Sequence, residues 1–254
     1  MKKIIILNGS PKKDRSVTMR VTNAFVEGLK KVFDCEIIKY NISELNIKPC
    51  LGCLSCWGRT EGECIIKDDD INIVKTKIEE ADYVIESFPL YFFGMPGIMK
   101  VFTDRMLSMM NTYKGQKAPV NGESFHGIRN PKENRKFVVI SSCAYTEYEA
   151  IYEPLQKQYD CICGKNNYLF LTSPQLMTLI DLNNETKINK YLDKFINAGA
   201  EFAQNGNLSI ETLNNLKKPP FTEGAYKIFL DSFWKSEKGD KNVWNYKKTI
   251  SWMC

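Results

Sequence analysis

Apolar residues set the first element at once. Lys3 to Leu7 reads as a short buried strand, because Ile4-Ile5-Ile6-Leu7 runs without a polar break and stops at Asn8-Gly9-Ser10-Pro11. Val21, Ala24, Phe25, Gly28, Leu29 and Val32 then recur at helical spacing, which predicts a helix over about 16–33. Cys35 to Tyr40 is a second strand. Asp68-Asp69 is placed to cap a helix carrying Ile71, Val74 and Ile78. Tyr83 to Phe88 gives a third strand, a loop runs through Gly94, and Pro96 suits the first turn of a helix reaching Phe102 and Arg105. Phe137 to Ser142 and Tyr168 to Thr172 are two further strands, with a helix between them over 147–159. Ile188, Tyr191, Leu192, Phe195, Gly199 and Phe202 mark a long amphipathic helix. Strands alternating with helices predict an α/β fold around a five-stranded parallel sheet, doubly wound in the order 2-1-3-4-5. Residues 1–205 form that domain. Residues 206–254, with Pro219-Pro220 and the aromatics Phe221, Tyr226, Phe229, Phe233 and Trp234, form an extension packed on the core or on a second subunit.

Composition narrows the class. With 254 residues and 43% hydrophobic content the chain supports an ordinary core. No apolar run approaches the roughly 18–20 residues of a membrane span, so no membrane partner is expected. The net charge is only +5, the basic residues are mostly Lys and are dispersed, and no nucleic-acid motif is present. Nucleic acid is therefore excluded as a partner. Nine cysteines without an export signal imply a reducing cytoplasm.

Ligands of such folds sit beyond the carboxyl ends of the strands. The first strand opens into Asn8 to Thr18 and then a helix, so a phosphate there meets helix-start N–H groups and the hydroxyls of Ser10, Ser16 and Thr18. Neither G-x-G-x-x-G nor a P-loop pattern occurs. The third strand runs into Pro89-Leu90-Tyr91-Phe92-Phe93-Gly94, aromatics suited to a flat conjugated ligand. The fourth ends in Ser142-Cys143-Ala144-Tyr145.

Gly9-Ser10-Pro11, then Pro89-Leu90-Tyr91-Phe92, then Lys100-x-x-x-Asp104-Arg105 resemble the NAD(P)H-dependent FMN reductase and iron–sulfur flavoprotein group, in order over residues 3–205. The resemblance implies FMN phosphate at Ser10, Lys12, Ser16, Val17 and Thr18, where the group usually has Arg in place of Lys12. It implies the isoalloxazine against Pro89, Leu90, Tyr91, Phe92 and Gly94, and its other edge at Ser142, Cys143, Ala144 and Tyr145. Hydride would pass from NAD(P)H to flavin N5, and on to a quinone, nitro or azo compound, flavin or protein. FMN carries the chemistry, so no catalytic side chain is named. A homodimer or higher homo-oligomer is also implied, with the long connection over 113–135 or the extension completing the site.

Cys50-x2-Cys53-x2-Cys56-x7-Cys64 suits the thiolate corners of a [4Fe–4S] cluster better than paired zinc knuckles, which stand a dozen or so residues apart. Relatives also keep such cysteines, and a following Trp, without a cluster. Trp57 and the long last gap favour free thiols beside the flavin. The alternative is an iron–sulfur flavoprotein electron carrier with [4Fe–4S] on these four residues. A third class, a flavodoxin-like binding protein, predicts no flavin. Cys53-x5-Arg59-Thr60 matches a tyrosine-phosphatase loop but does not follow a strand, so it reads as a chance match. His126, the only histidine, reads as a surface residue.

Overall fold

A computed structural model describes residues 1–112, 126–180 and 185–237 of the chain. Five strands and, among the described residues, seven α-helices make up the chain, the strands and first five helices in the expected alternation. They are β1 (Lys2–Asn8), α1 (Val17–Lys30), β2 (Cys35–Asn41), α2 (Ile71–Glu80), β3 (Tyr83–Pro89), α3 (Gly97–Arg105), β4 (Lys136–Ser142), α4 (Glu149–Cys163), β5 (Leu169–Ser173), α5 (Glu185–Asn205), α6 (Ile210–Lys217) and α7 (Glu223–Glu237). The sheet is parallel with strand order 2-1-3-4-5. Burial follows that order. Every residue of the central β3 is buried, whereas edge strand β2 leaves Ile37 exposed.

Two compact units divide the chain. The first comprises Met1–Lys13, Phe33–Ser141 and Glu149–Leu171, and the second Asp14–Val32, Ser142–Tyr148 and the residues from Thr172 on. Within the first, β1 pairs with β2 from Lys2↔Cys35 to Asn8↔Asn41 and with β3 from Ile4↔Tyr83 to Asn8↔Ser87. Tyr159 of α4 packs on Phe88 and Phe137, and Tyr152 on Phe170. Within the second, α1 lies against α5 so closely that a Cβ on Gly28 would come 2.0 Å from the Ile196 carbonyl oxygen, and one on Gly199 2.0 Å from that of Phe25. Only glycine permits that approach.

Several boundaries differ from the sequence reading. Helix α1 stops at Lys30, because Lys31 and Val32 close the last turn on the Glu27, Gly28 and Leu29 carbonyls. Helix α4 begins at Glu149 and continues past Tyr159 to Cys163, where Gly164 (φ +85°) turns left-handed and bonds back to Asp160. Pro96 occupies the N-cap of α3 rather than its first turn, and Asp70 that of α2. Asp68 pairs with Lys48 instead, while Asp69 forks with Arg105 and also accepts the Ile71 N–H at the start of α2. The extension, read only as an aromatic tail, forms α6 and α7. Residues 113–125 of the long connection lie outside the described residues.

Candidate functional site

In the first unit the loop after β1 is organised by Asn8, which is wholly buried. Its amide donates to the Lys13 carbonyl and to Asn41 Oδ1, each at 2.9 Å, and its Oδ1 accepts the Ser10 N–H at 3.1 Å. Ser10 is buried, and its Oγ accepts the Lys12 N–H at 3.3 Å. Gly9 donates to the Ser87 carbonyl at 2.9 Å, so this loop leaves the sheet beside the end of β3. Asn8 is thus the hub, a role hidden in sequence because its partners are a loop carbonyl and the end of another strand.

In the second unit Ser16 is the N-cap of α1, yet its hydroxyl makes no cap hydrogen bond, and the first turn holds no acidic residue. The positive end of the helix dipole is therefore not offset by a carboxylate in its own first turn. Val17 and Thr18 are buried there, and Thr18 Oγ1 shares a 2.6 Å hydrogen bond with Ser142 Oγ. That pair carries two hydroxyl hydrogens and spends one, leaving one to donate. Cys143 is buried and its thiol turns inward toward the Tyr145 carbonyl at 3.8 Å, while Ala144 and Tyr145 are exposed. Gln175 and Tyr226 hold this loop. The Gln175 N–H donates to the Tyr145 carbonyl at 3.1 Å and its amide to Thr146 Oγ1 at 3.2 Å, and the Tyr226 hydroxyl donates to the Ala144 carbonyl. No local pattern signals either residue.

Pro89 closes the fully buried β3, and the chain turns at once. Tyr91 and Gly94 exchange hydrogen bonds of 2.9 and 3.0 Å across Phe92 (φ +47°) and Phe93 (φ +64°). This is a primed hairpin turn built on two aromatic residues where glycine or asparagine is usual. Left-handed geometry costs each about 1–2 kcal/mol. The turn holds Tyr91, Phe92 and Phe93 44%, 98% and 50% exposed. The strained turn thus holds aromatic surface open to solvent.

The cysteine loop, also in the first unit, turns left-handed at Gly52 (φ +64°) and Leu54 (φ +54°), on either side of Cys53. The Gly52 N–H donates to Cys50 Sγ at 3.5 Å. The backbone N–H of Ser55, its hydroxyl and the charge of Arg59 hold the Cys53 thiol below its ordinary value. Burial pushes the Cys56 thiol up, with Cys64, Cys50 and Cys53 adding like charge. Thiolate sulfur is the donor type that an iron–sulfur centre takes. Among the described residues, no group of three or more His, Cys, Asp or Glu side chains is placed to hold a metal ion.

The phosphatase match gains nothing from the geometry. The amides of Trp57, Gly58 and Thr60 are already bonded to the carbonyls of Leu54, Ser55 and Ser55, so they cannot cradle a phosphate. His126 is partly exposed. Its ring packs on Trp57 with centroids 4.7 Å apart, and the Trp57 indole donates to the Leu107 and Met110 carbonyls, each at 3.1 Å. Trp57 therefore anchors the cysteine loop.

The sheet order and the placement of these loops define a flavodoxin-like protein. The family described as flavodoxin-like fold matches residues 2–159, and the chain belongs to it. An iron–sulfur flavoprotein of Clostridioides difficile is 30% identical over 129 residues, 51% of this chain and 56% of that one. Another, of Methanocaldococcus jannaschii, is 37% identical over 103 residues, 41% of this chain and 51% of its own. The chain thus spans about half the length of the curated relatives it matches. Among solved structures, an FMN-dependent NADH-azoreductase from Bacillus anthracis in complex with FMN is similar over 80% of this chain and 100% of its own, with TM-score 0.57 and 17% identity. No helix among the described residues is long and apolar enough to cross a membrane.

Proposed function

We propose that the chain is an FMN-dependent NAD(P)H oxidoreductase acting in a reducing cytoplasm as a homodimer. The observation that carries this reading is the start of α1, where the Ser16 hydroxyl makes no cap hydrogen bond and no first-turn carboxylate opposes an anion. Ser16, Thr18 and the Val17 amide would donate to the FMN phosphate; Ser10 and Lys12 are added to this assignment by the sequence resemblance alone. The strained Tyr91–Gly94 turn, with Pro89 and Leu90 before it, would carry the ring. Bound FMN supplies two-electron chemistry between a reduced nicotinamide and an acceptor. Exposed Tyr91 and Phe92 offer the stacking surface that a planar quinone, azo or nitro acceptor needs, in keeping with the azoreductase resemblance of the fold.

A second reading is supported by the cysteine loop and by relatives that are iron–sulfur flavoproteins. In it, Cys50, Cys53, Cys56 and Cys64 hold a [4Fe–4S] centre, and the chain passes single electrons between that centre and FMN.

Ser16→Ala tests the phosphate assignment. The hydroxyl caps nothing, so the variant should keep its thermal stability while FMN binds about ten-fold more weakly, the value of one hydrogen bond to a charged group. Unchanged affinity in a fluorescence titration would overturn the assignment.

A further inference from the structure

In the second unit the extension is fastened to the loop that follows β4, and one buried side chain makes most of the fastening. Gln175, just past β5, is wholly buried and takes left-handed backbone (φ +53°), a strained geometry for a residue other than glycine. Its N–H donates to the Tyr145 carbonyl at 3.1 Å, and its carbonyl accepts the Thr178 N–H at 2.9 Å and hydroxyl at 2.8 Å. The side-chain amide donates to Thr146 Oγ1 at 3.2 Å and to the Phe221 carbonyl at 3.0 Å, and its Oε1 accepts the Phe221 N–H at 3.0 Å. Every polar group of Gln175 is therefore engaged. An amide offers donor and acceptor side by side, so it pairs with the peptide groups around Phe221 as a neighbouring strand would.

Other contacts join the same two segments. The Tyr226 hydroxyl of α7 donates to the Ala144 carbonyl, and the Tyr148 hydroxyl donates to the Lys217 carbonyl at the end of α6, at 3.3 Å. The Lys187 ammonium of α5 stands 4.0 Å from the centre of the Phe221 ring. Ala144 and Tyr145 are exposed, yet the carbonyl of each is taken, one by the extension and one by Gln175. The loop's other end is tied as well. Ser142 shares its hydroxyl hydrogen bond with Thr18 at the start of α1, the Cys143 N–H donates to the Ser173 carbonyl at 3.0 Å, and the Cys143 carbonyl accepts the Leu176 N–H at 2.8 Å. The loop from Ser142 to Thr146 thus runs from the start of α1 to the extension, bonded at both ends.

We infer that residues 206–237 are a clamp on the FMN site, with Gln175 as the positioning residue that joins them to it. Docking of Phe221 and α7 fixes the Ser142–Thr146 loop beside the start of α1, and cofactor binding and docking of the extension favour each other. This rests on the FMN reading above, in which Thr18 donates to the phosphate. A ligand that meets a loop already ordered loses no binding energy to ordering it. The same coupling must then act in reverse, from bound ligand to extension.

The test is FMN affinity by fluorescence titration and amide hydrogen exchange of the whole chain, without FMN and saturated with it, for wild type, Gln175→Met and Tyr226→Phe. Methionine keeps the length of the side chain and removes its amide. Gln175→Met should bind FMN about five-fold or more weakly than wild type, with Tyr226→Phe between the two. Saturating FMN should slow exchange over α6 and α7 in wild type by a similar factor, and lose that effect in Gln175→Met. If Gln175 only holds the extension in place, Gln175→Met loosens α6 and α7 but keeps wild-type FMN affinity; that result overturns the inference and leaves the FMN reading intact. Exchange over α6 and α7 that FMN does not alter in wild type overturns it too. Should Gln175→Met fail to fold, Tyr226→Phe decides: weaker FMN binding supports the inference and wild-type affinity overturns it. A wild-type chain that binds no FMN refutes the FMN reading itself, and the inference with it.

Discussion

Asp69, in the neck of the cysteine loop, and Glu86, in the middle of β3, are buried carboxyl groups of the same compact unit with opposite fates. Asp69 meets Arg105 in a fully buried fork and also accepts the N–H groups of Lys48 and Ile71. Burial alone would raise its pKa, but Arg105 and those amides hold it below the usual carboxylate range. Glu86, 6% exposed, has the Tyr159 hydroxyl as its partner. Burial pushes its pKa up to about 7, against the lowering effect of that hydrogen bond. A guanidinium makes a buried carboxylate into a charged fastener. A phenol leaves it a neutral acid over much of the pH range. Depth of burial and the charge of the partner together decide.

Removing the charge from the first of these should have the larger effect. Asp69→Asn leaves the Arg105 guanidinium buried and uncompensated, which should cost about 3–5 kcal/mol in urea unfolding. A loss below about 1 kcal/mol would mean that the fork does not hold the loop's neck. The second group gives a smaller effect confined to a pH window. The folded state holds the Glu86 proton up to about pH 7, whereas the unfolded chain releases it near pH 4.5. The contribution of Glu86 is therefore complete below pH 4.5, declines as pH rises toward 7, and by then has fallen by about 3 kcal/mol. Glu86→Gln should abolish that decline between pH 5 and 8 in chemical denaturation. Asp69 acts in the other direction, contributing above its unfolded pKa and losing that contribution as pH falls through its lower folded value. The two groups together place greatest stability in mildly acidic solution. A wild-type curve that stays flat from pH 5 to 8 would contradict the neutral state assigned to Glu86.

The same contrast separates what the sequence made legible from what it did not. Continuous apolar runs such as Ile4–Leu7 and helical spacing such as Ile188 to Phe202 are local signals, and both elements stand where they were read. The carboxyl-end loops follow from strand order. Asp69 does accept the Ile71 N–H at the start of α2, as its place before a helix suggests, but its ion-pair partner stands 36 residues away on α3. His126 and Trp57 meet only through folding, as do Asn8 and Asn41. Nothing in Tyr91-Phe92-Phe93-Gly94 announces a primed turn either, because its central residues lack the glycine or asparagine by which such turns are recognised. Long-range side-chain pairs and strained backbone carry no periodicity, so composition and spacing pass over them.

The central claim is that this flavodoxin-like chain holds FMN and reduces it with a nicotinamide. Its most direct test is the visible spectrum of the purified chain, loaded with FMN under anaerobic conditions, before and after addition of NADH or NADPH. The account predicts stoichiometric flavin that stays with the protein through gel filtration and bleaches on addition of one of the two nicotinamides. A chain that retains no flavin, or whose bound flavin neither nicotinamide reduces, would contradict it.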